Sequence, residues 1–415
     1  MNFGSWLSFS TGPVEVFLAL VFGCVGLLSI LYSFARVRGS GGQITEYYIF
    51  FFLLLGAALG VVFANNLLLL FVFWELATVA VWRLVSYFRK EEAVIAGAWA
   101  FYINFIAAAT MLVGLVLIQL NEGTLDLQAL AGKPLLTFPA VLILIGILAK
   151  SATLPLYIWL PRAYLEAPAS VCALLSGVAE NLGLVLFLKL YIITMVVPKQ
   201  FLLAVGVIAV ASSLVAGGVA LNAKTIRETL AYSTVGQIGF ALLGFTCAGY
   251  YGLMGAMFYI MAHAIAKSGV FFAAGTVEDA AGSGDLSRLG GFARISPGLA
   301  GATAVLVLSV MGFPPTLGFF AKLWVILSAV RGSIVLGIGA LVAAIFTILY
   351  LSRLYSRIFL GSGSIGDGKI SGFVVFLVVV MALGTILAGV FWFVPARFLE
   401  AGFSGLGMTM FSGGW

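Results

Sequence analysis

Apolar residues fall in long runs separated by glycine, proline and clusters of charge, and these runs predict twelve helices. They lie near 13–35, 46–63, 66–88, 93–119, 139–160, 168–196, 200–221, 229–248, 250–276, 297–330, 334–360 and 370–394. About twenty apolar residues at 1.5 Å rise cross a ~30 Å hydrocarbon core, so each run has the length of a span. Two runs carry proline breaks, LAKSATLPLYIWLP in 139–160 and SVMGFPPTLGFFAK in 297–330. A proline has no N–H for the carbonyl four residues back, so Pro155 frees Ser151 and Pro314 and Pro315 free Val310 and Met311. Free carbonyls at membrane depth must face protein or water.

The break falls in the fourth helix of each of two five-helix units, 46–199 and 200–360. Five is odd, so the second unit enters from the opposite face, and the pattern predicts an inverted repeat around an ion or substrate pathway. Residues 1–45 supply a helix and a basic loop before the units, and 361–415 a helix and a short tail after them. The fold expected is an all-α integral membrane protein; two unrelated proline kinks are the alternative to the repeat.

Composition agrees with that class and narrows it. Of 415 residues 63% are apolar and 9% charged, against about 45–50% and 25% in soluble domains, which excludes a soluble protein. The first twelve residues hold no Lys or Arg, so the first run is expected to stay as a span rather than be cleaved as a signal. Three scattered cysteines (Cys24, Cys172, Cys247) and one histidine argue against a haem, iron–sulfur or zinc site in this chain. The net charge of +6 has no long basic run, which argues against nucleic acid.

The charge bears on topology instead: twelve loop cations, including Arg38 and Lys369, fall on one side, and Lys133, Lys199, Arg331 and Arg397 on the other. By the positive-inside rule both termini lie outside. The 121–137 loop has room for a short surface helix, and GSGSIGDGK at 361–369 lacks the ending of a phosphate loop.

The candidate chemistry is a short set of ionisable residues inside the runs: Glu75, Lys150, Glu180, Lys267 and Lys322, with Arg83 and Lys189 nearer helix ends. Each costs about 2.5–3.5 kcal/mol at mid-helix on insertion scales, so function is the default reading. Lys150 and Lys322 each stand beside a proline break. A lysine taken out of water holds its proton less tightly and a neighbouring carboxylate restores the hold, so a Glu–Lys pair makes a switch.

Glu75 is the partner expected for Lys150, with Arg83 able to compete for the carboxylate; a static ion pair is the alternative. Tyr259, His263 and Lys267 recur every four residues, which places them on one helical face with the imidazole one turn from the lysine. Glu180 reads equally as a second acidic relay or as the partner of Lys189, and Lys189 is expected to snorkel toward an interface. Ser176 and Glu180 share a face by α-helical spacing, with Asn181 about 100° further round.

Five segments together resemble a known family: FWEL around Glu75, AKSATLPLYIWLPRAYLEAPASVCALL from Ala149, KTIRETLAYSTVGQIGF from Lys224, HAIAKSGVFFAAG from His263 and GFPPTLGFFAK ending at Lys322. They resemble the antiporter-like, proton-translocating membrane subunits of respiratory complex I (NADH:quinone oxidoreductase), membrane-bound hydrogenase, formate hydrogenlyase and Mrp-type Na⁺/H⁺ antiporters. The resemblance covers about 47–360 and implies that Glu75, Lys150, Lys267 and Lys322 belong to a central hydrophilic axis. Ser176 and Asn181 stand where relatives often carry a relay histidine or lysine. Relatives usually have two helices before 13–35, so the chain looks shortened at its start, and the residues after Pro395 are too few for the lateral helix of some complex I subunits.

The implied function is a proton- or sodium-translocating subunit of a redox-driven complex in the inner membrane. The implied partners are other membrane subunits and peripheral redox subunits, which would hold iron–sulfur clusters and flavin or a NiFe centre; this chain would hold no cofactor. An Mrp-like secondary antiporter and a structural subunit with a degenerate channel are the alternatives.

Overall fold

The computed structural model describes residues 6–37, 41–247, 249–361 and 370–403; the glycine-rich loop at 361–369, apart from Gly361, and two cations of the topology count, Arg38 and Lys369, lie outside the described residues. Helices α1 (Pro13–Arg36), α2 (Gly41–Phe63), α3 (Leu67–Val85) and α4 (Glu91–Glu122) lead through the short α5 (Leu127–Leu130) to α6 (Thr137–Lys150) and, past the first break, α7 (Trp159–Glu166). Next, α8 (Ala169–Leu174) and α9 (Asn181–Phe187) form one continuous path with two π-helical stretches, Leu175–Ala179 and Leu188–Thr194. The chain continues through α10 (Lys199–Asn222), α11 (Ile226–Thr246), α12 (Tyr250–Ala281), the short α13 (Phe292–Ile295) and α14 (Pro297–Met311). After the second break come α15 (Leu317–Gly332), α16 (Ile334–Phe359), α17 (Gly372–Val390) and the short α18 (Phe393–Phe403).

Among the described residues nine segments are long and apolar enough to cross a membrane, while α6 and α14 are shorter apolar helices that end at the breaks. The protein is a multi-pass membrane protein. α11 has the length of a span but carries Arg227, Glu228 and Gln237, and it is not one of the nine. The surface helix expected in the 121–137 loop is α5, whose Leu127 and Leu130 are buried.

Side-chain caps fix where several helices begin. Asn66 accepts from the Leu68 and Leu69 amides at the start of α3, and Thr225 accepts from the Glu228 amide at the start of α11. The same two residues pair through antiparallel backbone bridges with Asp126 and Asp285. Asp285 accepts from the Ser287 amide at 2.9 Å, and these Ser287 contacts hold its carboxyl below the ordinary aspartate range.

At the second break Gly312 adopts a left-handed conformation (φ 89°), and the Phe313 amide reaches back to the Leu308 carbonyl at 3.0 Å. This is a Schellman-type end, and glycine takes it without the steric penalty of a Cβ. The first break follows Lys150, with the Ser151 amide still bonded to the Ile147 carbonyl at 2.9 Å.

Three elements fill the middle: the α8–α9 path, α11, whose residues 233–245 are all buried, and α12. Every residue from 170 to 191 is buried, and from 252 to 277 only Met261 and Ile265 are partly exposed. The other spans keep an outward face, as Leu20, Phe52, Ile106 and Ile345 show. Core position is what brings polar side chains of α8, α9 and α12 together with no water-facing surface of their own.

Candidate functional site

The site is a row of buried polar groups running from α3 through the centre to the second break. Lys150, the last residue of α6, points at α3: its Nζ donates to Thr78 Oγ1 at 2.6 Å and to the Trp74 carbonyl at 3.4 Å, and lies 5.0 Å from the Trp74 ring. Trp74 and Thr78 share a helical face, whereas Glu75 is about 100° round from Trp74. Glu75 is accordingly half-buried and outside ion-pair contact with Lys150, and its buried Oε1 has no hydrogen-bond partner among the described residues. The Glu75–Lys150 pairing expected from sequence is not a contact ion pair: the lysine docks on the helix that carries the glutamate, near enough for the two charges to interact. Arg83 does not compete for Glu75; it bonds Glu46 of α2, which also takes Arg89.

Glu180 occupies the centre. It accepts from the Tyr164 hydroxyl at 2.6 Å and is fully buried, with its other oxygen unpartnered. It is not the partner of Lys189, which donates to the Val62 and Ala64 carbonyls and stands 3.9 Å from Glu15. Lys189 is buried as well, so it does not snorkel: two helix-end carbonyls and a carboxylate on α1 draw it inward.

The α-helical register assumed for Ser176, Glu180 and Asn181 gives way to a π-turn, in which the Glu180 amide bonds the Leu175 carbonyl five residues back at 3.0 Å. Ser176 Oγ lies 3.2 Å from His263 Nε2 and 3.3 Å from Thr234 Oγ1. Asn181 turns its amide onto the carbonyls of Ser176 and Gly177 and leaves Oδ1 buried without a partner. Close approach of α12 makes this contact: a Cβ on Gly177 would stand 2.6 Å from Ser268 Oγ and 3.2 Å from the Ala264 carbonyl.

From α12 the three residues predicted to share a face reach different partners. Lys267 donates to the Leu230 carbonyl at 2.9 Å, His263 faces Ser176, and the Tyr259 hydroxyl donates to Gln237 Oε1 at 2.5 Å. The Gln237 amide continues to Tyr350 at 3.0 Å and Thr347 at 3.2 Å. A cavity of about 10 Å³, room for one water, lies between Tyr259, His263 and Gln237 on one side and Ser309 and Val310 on the other.

Beyond it Lys322 donates to the Val310 carbonyl at 3.0 Å and the Met311 carbonyl at 3.2 Å, the two acceptors that Pro314 and Pro315 leave without a helical donor. Its Nζ sits 5.0 Å from the Phe240 ring.

Lys150, Lys267 and Lys322 are all buried, and among the described residues none has a carboxylate within ion-pair distance. Buried polar atoms with no hydrogen-bond partner among the described residues recur along the row, at Glu75 Oε1, Ser151 Oγ, Glu180 Oε2, Asn181 Oδ1, His263 Nδ1 and Ser309 Oγ. Sequence reasoning missed Thr78, Tyr164, Thr234, Gln237 and Ser309. Thr234 and Gln237 left a signal, since they interrupt an apolar run in AYSTVGQIGF; Thr78, Tyr164 and Ser309 look ordinary in sequence and matter only through what the fold sets beside them.

The sequence from 64 to 347 matches the family described as "NADH:quinone oxidoreductase/Mrp antiporter, TM". Subunit A1 of the Na(+)/H(+) antiporter of Staphylococcus haemolyticus is 31% identical over 399 residues, covering 87% of this chain and 48% of that protein. The chain therefore spans about half the length of the curated relatives it matches. Among solved structures, a chain of the Mrp complex from Dietzia sp. DQ12-45-1b superposes with a TM-score of 0.88 at 23% identity, over 96% of this chain and 84% of that one. A chain of the membrane-bound sulfane sulfur reductase, an archaeal respiratory membrane complex, superposes with a TM-score of 0.86 at 25% identity, over 94% and 82%.

Proposed function

Because this chain belongs to the NADH:quinone oxidoreductase/Mrp antiporter transmembrane family, we propose that it is an ion-translocating subunit of a multi-subunit membrane complex, carrying protons or sodium along the buried row from Glu75 to Lys322. One observation carries the reading: among the described residues, three buried lysines make no contact ion pair with a carboxylate and are held by carbonyls and a hydroxyl instead. A static structural role would favour paired charges, because an unpaired ion out of water costs several kcal/mol. Groups that load and release a proton are served by carbonyl and hydroxyl neighbours that tolerate both states.

The chain is read as twelve spans in two inverted five-helix units, in the inner membrane, with both termini outside. Supporting the repeat, Asn66 with Asp126 and Thr225 with Asp285 form the same antiparallel bridge at the start of α3 and of α11, each joining residues equally far apart in the sequence. Each unit also has a broken helix beside a lysine.

The drive is assigned to redox chemistry in partner subunits that hold iron–sulfur clusters and flavin or a NiFe centre, as in complex I and membrane-bound hydrogenase. A second reading, a secondary cation/proton antiporter of the Mrp kind, is favoured by the 31% identity to an Na(+)/H(+) antiporter subunit. Purification of the chain with its native partners separates the two: flavin or iron–sulfur absorbance supports the first, colourless small membrane subunits the second. Translocation itself is tested with Glu75→Gln and Lys150→Ala, which should assemble normally and lose coupled ion transport. Normal pumping by both assembled variants would remove the axis.

A further inference from the structure

We propose that Tyr164, on the helix after the first break, is a proton-transfer residue that links His263 to Glu180 in place of a titratable side chain at position 181. The inference rests on the translocation reading and adds a residue and a direct route to it.

Asn181 cannot carry a proton, and its amide is committed to the Ser176 and Gly177 carbonyls. The gap is filled from α7. Tyr164 is fully buried, donates to Glu180 Oε1 at 2.6 Å, and is flanked by the hydroxyls of Ser176 and Thr234. Ser176 Oγ touches His263 Nε2 at 3.2 Å and Thr234 Oγ1 at 3.3 Å. Three hydroxyls thus stand between the imidazole and the carboxylate.

The transfer conserves protons. His263, which lines the water-sized cavity, takes one at Nδ1, an atom with no hydrogen-bond partner among the described residues, and releases one from Nε2 to Ser176. Ser176 passes its own proton to the Tyr164 oxygen, either directly or through Thr234, which takes the Ser176 proton as it gives up its own, while the Tyr164 O–H bond breaks toward Glu180 Oε1. Each hydroxyl ends as it began, and the net result is one proton moved onto the carboxylate.

The tyrosine is held for this geometry at its other end. Arg227 of α11 donates to the carbonyls of Tyr164 and Ala167 and is itself fixed by Glu278 at 2.7 Å. The Tyr164 ring packs edge-on against Phe271 of α12, 4.8 Å between centroids. The contact ties the first broken helix to the second half of the chain.

The test uses the full chain, purified with the membrane partners that accompany it and reconstituted into vesicles, with proton movement read by a pH-sensitive dye. Tyr164→Phe keeps the ring packing and removes only the hydroxyl; it should assemble fully and transport about 100-fold more slowly, the low end of what a positioned proton carrier contributes. Glu180→Gln should show a similar loss, and the double variant should be no slower than the slower single one, because both act on one step. Wild-type transport by Tyr164→Phe, or losses that multiply in the double variant, would overturn the proposal. Lys267→Ala is the control for the underlying reading. If it abolishes transport while Tyr164→Phe does not, the tyrosine route fails and translocation stands; if it is also silent, translocation fails first. Should Tyr164→Phe assemble poorly, Glu180→Gln alone decides, since a wild-type rate there removes the acceptor of the route.

Discussion

Lys322 performs two jobs that arginine and methionine separate. It satisfies the Val310 and Met311 carbonyls at 3.0 and 3.2 Å, and in the proposed function it also carries a proton. Lys322→Met strands both carbonyls, at about 1–3 kcal/mol each. Against that, removing a buried ammonium relieves a desolvation cost that is itself several kcal/mol. The two effects are of similar size and opposite sign, so the stability of the methionine variant is not diagnostic.

Lys322→Arg is the sharper perturbation. It keeps the charge, keeps donors for both carbonyls and can stack on the Phe240 ring, yet a guanidinium stays protonated at any working pH. Assembly should be retained while transport falls by roughly 100-fold, within the 10²–10⁴ range that positioned proton transfer supplies. The assay is dye quenching in proteoliposomes at matched protein content, with the assembled fraction read by native gel. Transport at the wild-type rate by an assembled Lys322→Arg variant would refute the view that this lysine releases its proton, and would leave it as a structural brace for the break.

Other outcomes follow from the same geometry. Lys267→Ala should impair transport more than His263→Ala, because water can take over the hydrogen bond of His263 to Ser176 but not the charge at 267; the reverse order in vesicles would make the imidazole the principal site. Gly177→Ala should destabilise the protein by about 1–3 kcal/mol, since its Cβ would press on Ser268 and the α12 backbone, and it should slow transport by separating Ser176 from His263; unchanged stability in a denaturant titration would show that α12 has room to yield.

The sequence by itself determined the class, the helices to within a few residues at most ends and both breaks, because twenty-residue apolar runs and proline are local signals that no packing can override. It also singled out Lys150, Lys267 and Lys322 as inside, since a charge within an apolar run stands out in the composition, but not Lys189, which it placed toward an interface and the fold buries. Partner choice was decided only by the tertiary structure. Glu75 and Lys150 read as a pair because each is ionisable and buried, yet helix rotation presents Trp74 and Thr78 to the lysine instead.

Glu180 and Lys189 lie nine residues apart on one path, and it is the placement of α1 and α7 that gives one to Tyr164 and the other to Glu15. The π-turn at Leu175–Ala179 was equally hidden, since it has no marker in LSGVA and its effect is to rotate Ser176 and Glu180 by a fraction of a turn. A helix's apolar period fixes that it is buried; the azimuth of each polar side chain, and so the route between them, depends on neighbours distant in sequence.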